Sequence, residues 1–379
     1  MAKAAPDRRF GPVLRCLALF WGVVAASAGG LGVALQLLGP LPHGETGQAA
    51  DLHAPDPHPP DPHSSDPHPS DRQPAGAHAT PAPGHDAHPT PPPLPPVEVP
   101  RRVVSFAGPG AAITDADPQL LEPAPSFDGM QLPRIGPGDV RPSRVYAAGR
   151  AVGETRPRIA ILMADIGPSA QASEEAIRGL PAPVSFAISP YGLRAPHLLE
   201  MARSRGHELF AVVPMEPSGF PINDPGPQAL LTGASRATNE RNLEWALSRF
   251  TGYVGVTAVL GRMHGDRFAN ATDLHAMMLE ELGRRGLIYL DPRPGGTPPP
   301  SSRLPPFRAV DLVVDAPAVR SEVDDRLGQL ERRARETGTA IGLAEGPTPM
   351  VIDRIAAWAT SLPVRGFALV PVSALVAPP

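Results

Sequence analysis

The C-terminal part of the sequence, residues 158–376, predicts an α/β fold in which a parallel sheet curls into a distorted (β/α) barrel. Short apolar runs alternate there with longer stretches of helical periodicity, the order expected of repeated strand–helix units. Most of the apolar runs are hydrophobic at consecutive positions, as strands are when both faces of a sheet are covered. Seven or eight parallel-type strands of this kind fit a closed barrel or an open sheet.

The elements follow one another in a regular order. Strands are predicted at residues 158–166, 184–189, 208–213, 254–259, 287–290, 310–314, 339–343 and 367–370. Helices are predicted at about residues 169–179, 195–205, 238–251, 272–285, 320–337 and 349–361. The last helix begins with Pro349, whose missing N–H does no harm in a first helical turn.

A basic segment and an apolar run begin the chain. Basic residues are concentrated in residues 1–15, and the run at residues 16–38 lacks charge. A helix of about 23 residues at 1.5 Å per residue spans a bilayer, and basic residues before it keep its N-terminus in the cytoplasm. We therefore expect a single-pass anchor in a bacterial inner membrane, with the C-terminal domain in the periplasm. A signal peptide cleaved near residues 26–28 is the alternative, and it exports the same domain.

Proline and histidine dominate residues 39–100. The chain has 53 prolines, and no aromatic residue occurs between Trp21 and Phe106. Such a stretch buries too little apolar surface to offset the entropy of ordering it, so we expect a disordered Pro/His-rich spacer. A repeated Asp-Pro-His triplet leaves open a weak metal-binding or pH-responsive tether.

Residues 101–157 carry apolar side chains among prolines. We expect an extended arm that packs onto the C-terminal domain and has little regular structure, and a plain linker is the alternative. The net charge of the whole chain, −4, does not favour nucleic acid as a partner. The single cysteine, Cys16, excludes an intrachain disulfide.

Polar side chains follow the predicted strands, at the edge where ligands bind in folds of this class. Carboxylates perform acid–base work on carbohydrates, and the catalytic candidates are Asp165, Glu216 and Asp291. The candidate substrate-binding residues are Tyr191, Met215, Arg262, His264, Arg293 and Glu345. Loops are polar in general, and Glu216 has a second interpretation as an acceptor of backbone N–H groups.

Motifs occur throughout this region, in order and at consistent spacing. They are Ala-Ile-Leu-Met-Ala-Asp-Ile-Gly at 160–167, Leu-Pro-Ala-Pro-Val-Ser-Phe-Ala at 180–187, Gly-His-Glu at 206–208, Pro-Met-Glu-Pro at 214–217, Asn-Asp-Pro-Gly-Pro at 223–227, Gly-Tyr-Val-Gly-Val at 252–256, Arg-Gly-Leu at 285–287 and Leu-Val-Pro-Val-Ser at 369–373. Through them, residues 158–376 resemble the divergent polysaccharide deacetylase family. The resemblance implies a distorted (β/α) barrel and, in typical members, metal-assisted removal of N-acetyl groups from a polysaccharide.

The sequence departs from the family pattern where the resemblance implies metal ligands. The paired aspartates of the pattern read Ala164 and Asp165 here, its Asn-His-Met-Gly stretch reads Ala-Val-Leu-Gly at 258–261, and its Gly-His reads Ala-Glu at 344–345. Because a catalytic zinc needs about three protein ligands, we expect no tightly bound metal cofactor. The alternative is a rearranged zinc site in which His264 joins the two remaining carboxylates.

Three functions follow from these observations. The first is metal-dependent carbohydrate deacetylation by a rearranged site. The second is non-catalytic binding of a glycan or a protein by a relative that has lost the metal. The third is metal-free carbohydrate hydrolysis by Glu216, Asp291 and Glu345. In each case the expected partner is a cell-envelope polysaccharide or a peptidoglycan fragment, with residues 16–38 in the inner membrane.

Overall fold

The computed structural model describes residues 110–149, 153–192 and 197–376. The predicted anchor at residues 16–38 and the predicted spacer at residues 39–100 lie outside these stretches. Within the three described stretches, no helix combines the length and the hydropathy needed to cross a bilayer.

The described chain alternates strands and helices from residue 158 onward. The strands are β1 (Leu121–Pro123), β2 (Gln131–Pro133), β3 (Arg158–Ile166), β4 (Ser185–Ile188), β5 (Leu209–Val212), β6 (Gly255–Thr257), β7 (Ile288–Asp291), β8 (Phe307–Ala309), β9 (Leu312–Val313), β10 (Thr339–Ala344) and β11 (Ala368–Leu369). The helices are α1 (Pro142–Val145), α2 (Ala170–Gly179), α3 (His197–Ser204), α4 (Arg236–Leu247), α5 (Asp266–Asn270), α6 (Thr272–Arg284), α7 (Arg320–Thr337), α8 (Pro349–Ser361) and α9 (Ser373–Val376).

The main sheet is parallel and curled. Its strand order is β8-β7-β6-β5-β4-β3-β10-β9, and β11 pairs with the start of β3. The edge strands β8 and β9 are consecutive in the chain. Between them, the N–H of Val310 bonds to Asp291 of β7 and the N–H of Asp311 bonds to Ile341 of β10. The chain thus passes from one edge of the sheet to the other. The predicted parallel α/β architecture is confirmed as a curled sheet of eight strands in a half-barrel.

Several elements differ from the sequence prediction. The strand predicted at residues 310–314 is present but shorter, as β9, and the chain forms a further strand, β8, just before it, because it changes partners from β7 to β10 at residues 310 and 311. The short helix α5 precedes the predicted helix at residue 272. The hairpin of β1 and β2 and the single turn of α1 were not predicted within residues 101–157. These elements are three or four residues long, too short for a recognisable hydrophobic period.

The core has two layers, one on each side of the sheet. On β3, Ile159, Ile161 and Met163 pack in a cluster that includes side chains of the surrounding helices. The alternate residues, including Ala160 and Leu162, pack in a second cluster made mainly of strand residues and α9. This alternation is the period of two expected of a strand, and it places the second cluster inside the curl of the sheet.

Residues 110–149 pack against the half-barrel through buried polar contacts. The buried guanidinium of Arg285 donates to Glu122 Oε1 at 2.9 Å and to the carbonyl of Pro133 at 2.8 Å, at the two strands of the hairpin. The N–H of Ala148 donates to the buried Glu208 at 3.2 Å. A buried charge is costly unless it is paired, so these contacts hold the arm in one position.

The loops that follow β3, β4, β5, β6, β7 and β10 meet at the carboxyl edge of the sheet, which we call the mouth. Helices begin directly after several of these loops. Ser169, Ser235 and Thr348 cap α2, α4 and α8, each accepting an N–H from the residue three positions on. These caps satisfy otherwise unpaired backbone donors and fix where each loop ends.

Candidate functional site

Asp165 lies at the mouth, at the end of β3, in a conformation that few residues adopt. Its φ is 58°, and the register between β3 and β4 shifts between Met163 and Ile166. Left-handed backbone is tolerated by aspartate better than by most residues, yet it is still unusual inside a strand. Burial raises the pKa of the Asp165 carboxyl above its ordinary value. Among the described residues, no hydrogen bond or ion pair engages this carboxyl.

Glu345 follows β10, the strand next to β3, and it is the centre of a polar cluster. His264 Nε2 lies 2.8 Å from Glu345 Oε1, and Arg262 Nε lies 3.8 Å from Glu345 Oε2. Behind it, both carboxylate oxygens of Asp315 accept the backbone N–H of Glu345 at 2.9 Å. Burial raises the pKa of Asp315. Asp315 therefore holds the backbone of Glu345, while His264 and Arg262 each approach one of its carboxylate oxygens.

The contact between His264 and Glu345 joins two loops on different sides of the mouth. His264 belongs to the loop after β6, and three strands separate β6 from β10 in the sheet. This loop is itself a tight turn in which Leu260 and Met263 exchange backbone hydrogen bonds of 2.9 and 3.0 Å. The hydrogen-bond contact of His264 with Glu345 therefore joins the residue that directly follows this turn to the loop after β10, on the other side of the mouth.

Glu216 is buried and fully engaged. Its carboxylate accepts from the backbone N–H and the hydroxyl of Thr232, and Arg267 Nε lies 3.1 Å from Oε1. Its backbone carbonyl accepts the N–H groups of Arg267 and Phe268 at 3.1 Å. These contacts tie the long loop between β5 and α4 to the start of α5. The geometry favours the interpretation of Glu216 as an acceptor that shapes the loop.

Asp291 is completely buried at the end of β7. Arg293 donates to it through Nε at 2.9 Å and Nη2 at 2.7 Å, a bidentate pair, and Arg293 Nη1 donates to Asn270 at 3.0 Å. The carboxylate raises the pKa of the Arg293 guanidinium. Arg293 also lines a groove of about 450 Å³ with the proline-rich residues 294–300. Within the described chain, no hydrogen bond or ion pair joins Asp291 to Asp165, Glu216 or Glu345.

The two remaining candidates are placed very differently. Met215 is 1% exposed and belongs to the hydrophobic core, so its side chain does not reach a solute. Tyr191 is 38% exposed after β4, and its ring packs on Trp245 at a centroid distance of 5.3 Å. Partial burial raises the pKa of Tyr191 to about 12. Tyr191 is therefore the candidate with an accessible aromatic surface.

The donor set at the mouth does not fit a catalytic zinc. Ala164 and Val259 are buried apolar residues at two positions where the family resemblance implies ligands, and His264 Nε2 is bound to Glu345. Over the described stretches, no three His, Cys, Asp or Glu side chains are grouped so as to hold one ion. Zinc in catalytic sites is held by about three protein ligands, usually with imidazole among them.

Two further histidines, His207 and His275, are buried and serve structural contacts. His207 lies between the carbonyls of Val184 and Ile177, at 2.9 and 3.3 Å, and burial lowers its pKa. His275 packs edge-on against Tyr289 in the interior, and burial lowers its pKa to about 4. Neither imidazole lies at the mouth.

Sequence reasoning missed several of the partners that decide what a candidate does. Thr232 and Arg267 lie 16 and 51 positions from Glu216, and neither belongs to a motif. Asp315 directly follows the strand predicted at residues 310–314, but its role as an acceptor for the backbone of Glu345 depends on the pairing of neighbouring loops. Trp245 is in the predicted helix pattern, with no signal that it meets Tyr191.

Comparison with known proteins identifies the family. The model of the divergent polysaccharide deacetylases matches residues 161–376. The crystal structure of the uncharacterized protein ATU2773 from Agrobacterium tumefaciens C58 is 31% identical with a TM-score of 0.59, covering 65% of this chain and 100% of that one.

Two further solved structures are more distant. A T48 deacetylase with substrate is 12% identical, with a TM-score of 0.38 over 58% of this chain and 91% of that one. The catalytic domain of a peptidoglycan N-acetylglucosamine deacetylase from Eubacterium rectale ATCC 33656 is 9% identical, with a TM-score of 0.38 over 58% of this chain and 90% of that one. No curated protein matches the sequence. On the family match, and as the motifs predicted, the chain belongs to the divergent polysaccharide deacetylase family.

Proposed function

We propose that this chain is a cell-envelope polysaccharide-binding member of its family that does not use a zinc-dependent reaction. One observation carries the proposal: the imidazole and the carboxylate that remain at the mouth, His264 and Glu345, are bound to each other at 2.8 Å. A zinc ion would have to displace that pair and would still lack a further nitrogen ligand, because Val259 is aliphatic.

The ligand class is argued from the family and the mouth. The family is named for polysaccharide deacetylation. The mouth keeps polar groups suited to sugar hydroxyls, namely Asp165 at the end of β3 and the Arg262–Glu345 pair at the loop after the neighbouring strand β10. A few placed polar groups at a strand edge are typical of small-ligand sites in parallel α/β folds.

The proposed location is the periplasm. The support is the sequence, in which residues 1–15 are basic and residues 16–38 are apolar and long enough to cross a bilayer. In this arrangement, residues 39–100 act as a spacer between the inner membrane and the domain that binds polysaccharide. Fractionation of cells with a C-terminal reporter tests this part separately: reporter recovered from the cytosol would contradict it.

The central experiment combines binding, metal analysis and turnover on the purified chain. We expect saturable binding of a soluble N-acetylglucosamine tetramer by calorimetry, zinc far below one equivalent by elemental analysis, and no release of acetate. One equivalent of zinc, together with acetate release that a chelator abolishes, would overturn the proposal. A further control is Ala164→Asp, which restores one carboxylate of the family pattern and is expected to increase zinc retention.

A second function is favoured by the placement of two carboxyl groups, Asp165 at the end of β3 and Glu345 after the neighbouring strand β10, where Met163 pairs with Ala344. Burial raises the pKa of Asp165, which is the direction that suits a general acid. Metal-free hydrolysis of a glycosidic bond would use such a pair. Reducing ends released by the wild-type chain in the presence of chelator, and lost in Asp165→Asn, would establish this function in place of binding alone.

A further inference from the structure

The geometry points to a sugar-stacking subsite beside the mouth, in which Tyr191 contacts a pyranose ring and Trp245 and Arg249 hold the tyrosine in position. This inference rests on the proposed function, because it names the residues that bind the polysaccharide. It is independent of whether the mouth performs any chemistry.

Tyr191 is exposed but fixed. It is one of the few large hydrophobic side chains with more than a third of its surface exposed in the described chain. Its ring packs against Trp245 at 5.3 Å with an interplanar angle of 38°, and its hydroxyl is hydrogen-bonded to the backbone of Gln228. An aromatic ring that is already ordered loses little conformational freedom when a ligand covers it.

The loop opposite is shaped around this ring. Gly226 has φ +97°, and a Cβ built on it would lie 2.6 Å from the Tyr191 hydroxyl. Only glycine combines that backbone conformation with the space the ring needs. Asp224 Oδ1 accepts the N–H of Gly226 at 2.8 Å, which holds the turn.

Trp245 and Arg249 support the tyrosine from α4 and the residues just after it. The Arg249 guanidinium lies 5.1 Å from the centroid of the Trp245 ring, and its Nε donates to the carbonyl of Pro190 at 3.3 Å. The arginine therefore connects the tryptophan to the residue directly before Tyr191. These two residues act as positioning residues, since each touches either the tyrosine or the backbone that carries it.

The subsite lies next to the candidate site at the mouth. The N–H of Ser189 donates to the carbonyl of Ile166 at 2.9 Å, one residue after Asp165. Gly192 packs closely on Gly167: a Cβ added to Gly192 would lie 2.5 Å from the carbonyl carbon of Gly167. The backbone segments that carry Tyr191 and Asp165 are therefore in contact, which places the subsite at the edge of the mouth.

The chemistry favours a sugar without phosphate. The C–H face of a pyranose ring is apolar and matches the face of a tyrosine, whose size and rigidity suit stacking. Asp224 is exposed beside the ring and raises the pKa of Tyr191, so it offers an acceptor to sugar hydroxyls and repels phosphate. The nearby Arg249 is already engaged by Trp245 and Pro190.

Calorimetry with the N-acetylglucosamine tetramer tests the subsite on the purified chain. We expect Tyr191→Ala to weaken binding of the tetramer about tenfold relative to the wild type. Tyr191→Phe keeps the ring, so its affinity should be close to that of the wild type. Val364→Ser, at a fully exposed apolar residue after α8, is the matched control and should bind like the wild type.

Tryptophan fluorescence supplies a readout that a purely structural role would not change. The tetramer should alter the emission of Trp245, so Trp245→Phe removes the change. Trp358 is 8% exposed and donates to Glu331, so Trp358→Phe should leave the change intact. If the wild type binds no tetramer, the proposed function fails and the subsite fails with it. If the wild type binds and Tyr191→Ala binds equally well, only the subsite is overturned.

Discussion

His264 Nε2 and Glu345 Oε1 lie 2.8 Å apart, although their loops follow strands that three other strands separate. The pair joins the turn after β6 to the loop after β10 across the mouth. Both side chains are largely buried, so water screens their interaction less than it would at the surface.

Removing the imidazole should loosen the turn over the mouth. We expect His264→Ala to lower the free energy of unfolding by about 1 kcal/mol, the net value of one hydrogen bond. Hydrogen exchange should accelerate at the amides of Leu260 and Met263, which bond to each other within the turn. His197→Ala is the control: its imidazole is exposed on α3 and should contribute little. Equal exchange rates in both variants would contradict a role for the pair in holding the turn.

The raised pKa of Asp165 predicts a pH-dependent gain in stability for Asp165→Asn. Because burial raises the folded pKa, the stability that this group contributes is complete below its unfolded pKa and is lost as the pH rises through the folded pKa. Asparagine is neutral throughout and tolerates the positive φ as well as aspartate does.

Chemical denaturation at two pH values measures this effect. Asp165→Asn should be more stable than the wild type at about pH 7 and equal to it at about pH 3, below the ordinary aspartate pKa. Asp128→Asn, at an exposed position between β1 and β2, should show no such trend. A variant less stable than the wild type at neutral pH would show that the ionised carboxyl has a stabilising partner.

The buried carboxylate of Glu208 joins parts of the chain that are distant in sequence. It is 1% exposed and accepts from Ser185 Oγ at 2.8 Å, from Ser373 N at 2.9 Å and Oγ at 2.6 Å, and from Ala148 N at 3.2 Å. Burial raises the pKa of this carboxyl, and the four donors offset part of that cost.

Glu208→Gln should therefore destabilise the domain by about 2 kcal/mol, since the amide nitrogen cannot accept and leaves donors unsatisfied. The measurement is equilibrium denaturation, with Glu200→Gln on the exposed face of α3 as the control. Faster proteolysis within residues 110–149 should accompany the loss, because Ala148 loses its acceptor. If Glu208→Gln were more stable than the wild type, the desolvation cost would outweigh the four hydrogen bonds.

Gly226 should be intolerant of a side chain, unlike Gly233 in the same loop. Gly226→Ala combines a positive φ with a Cβ placed 2.6 Å from the Tyr191 hydroxyl, whereas a Cβ at Gly233 meets no atom within 4 Å. We expect Gly226→Ala to cost about 1–2 kcal/mol of unfolding free energy and Gly233→Ala to cost much less. Denaturation curves of the two variants provide the test, and similar losses would contradict the contact between the loop and the ring.

The sequence alone identified the longest elements of the fold with good accuracy. The predicted strand at residues 158–166 and the predicted helices at residues 320–337 and 349–361 have the bounds that the structure shows. Each is long enough for its hydrophobic period to be visible, and the helix at residues 349–361 also begins with the favourable pair of Thr348 and Pro349. The motifs also identified the family, since they record local backbone geometry at successive strands.

Tertiary structure decided everything that depends on partners far apart in the chain. Residues 307–313 form two strands because the first of them, β8, pairs with β7 and the second, β9, pairs with β10. Glu216 and Glu345 are both carboxylates after strands, yet their partners Arg267 and His264 lie 51 and 81 positions away in the chain. Side-chain pairing across a sheet is a property of three-dimensional packing, so a sequence shows which residues reach the mouth but not which of them remain free to bind.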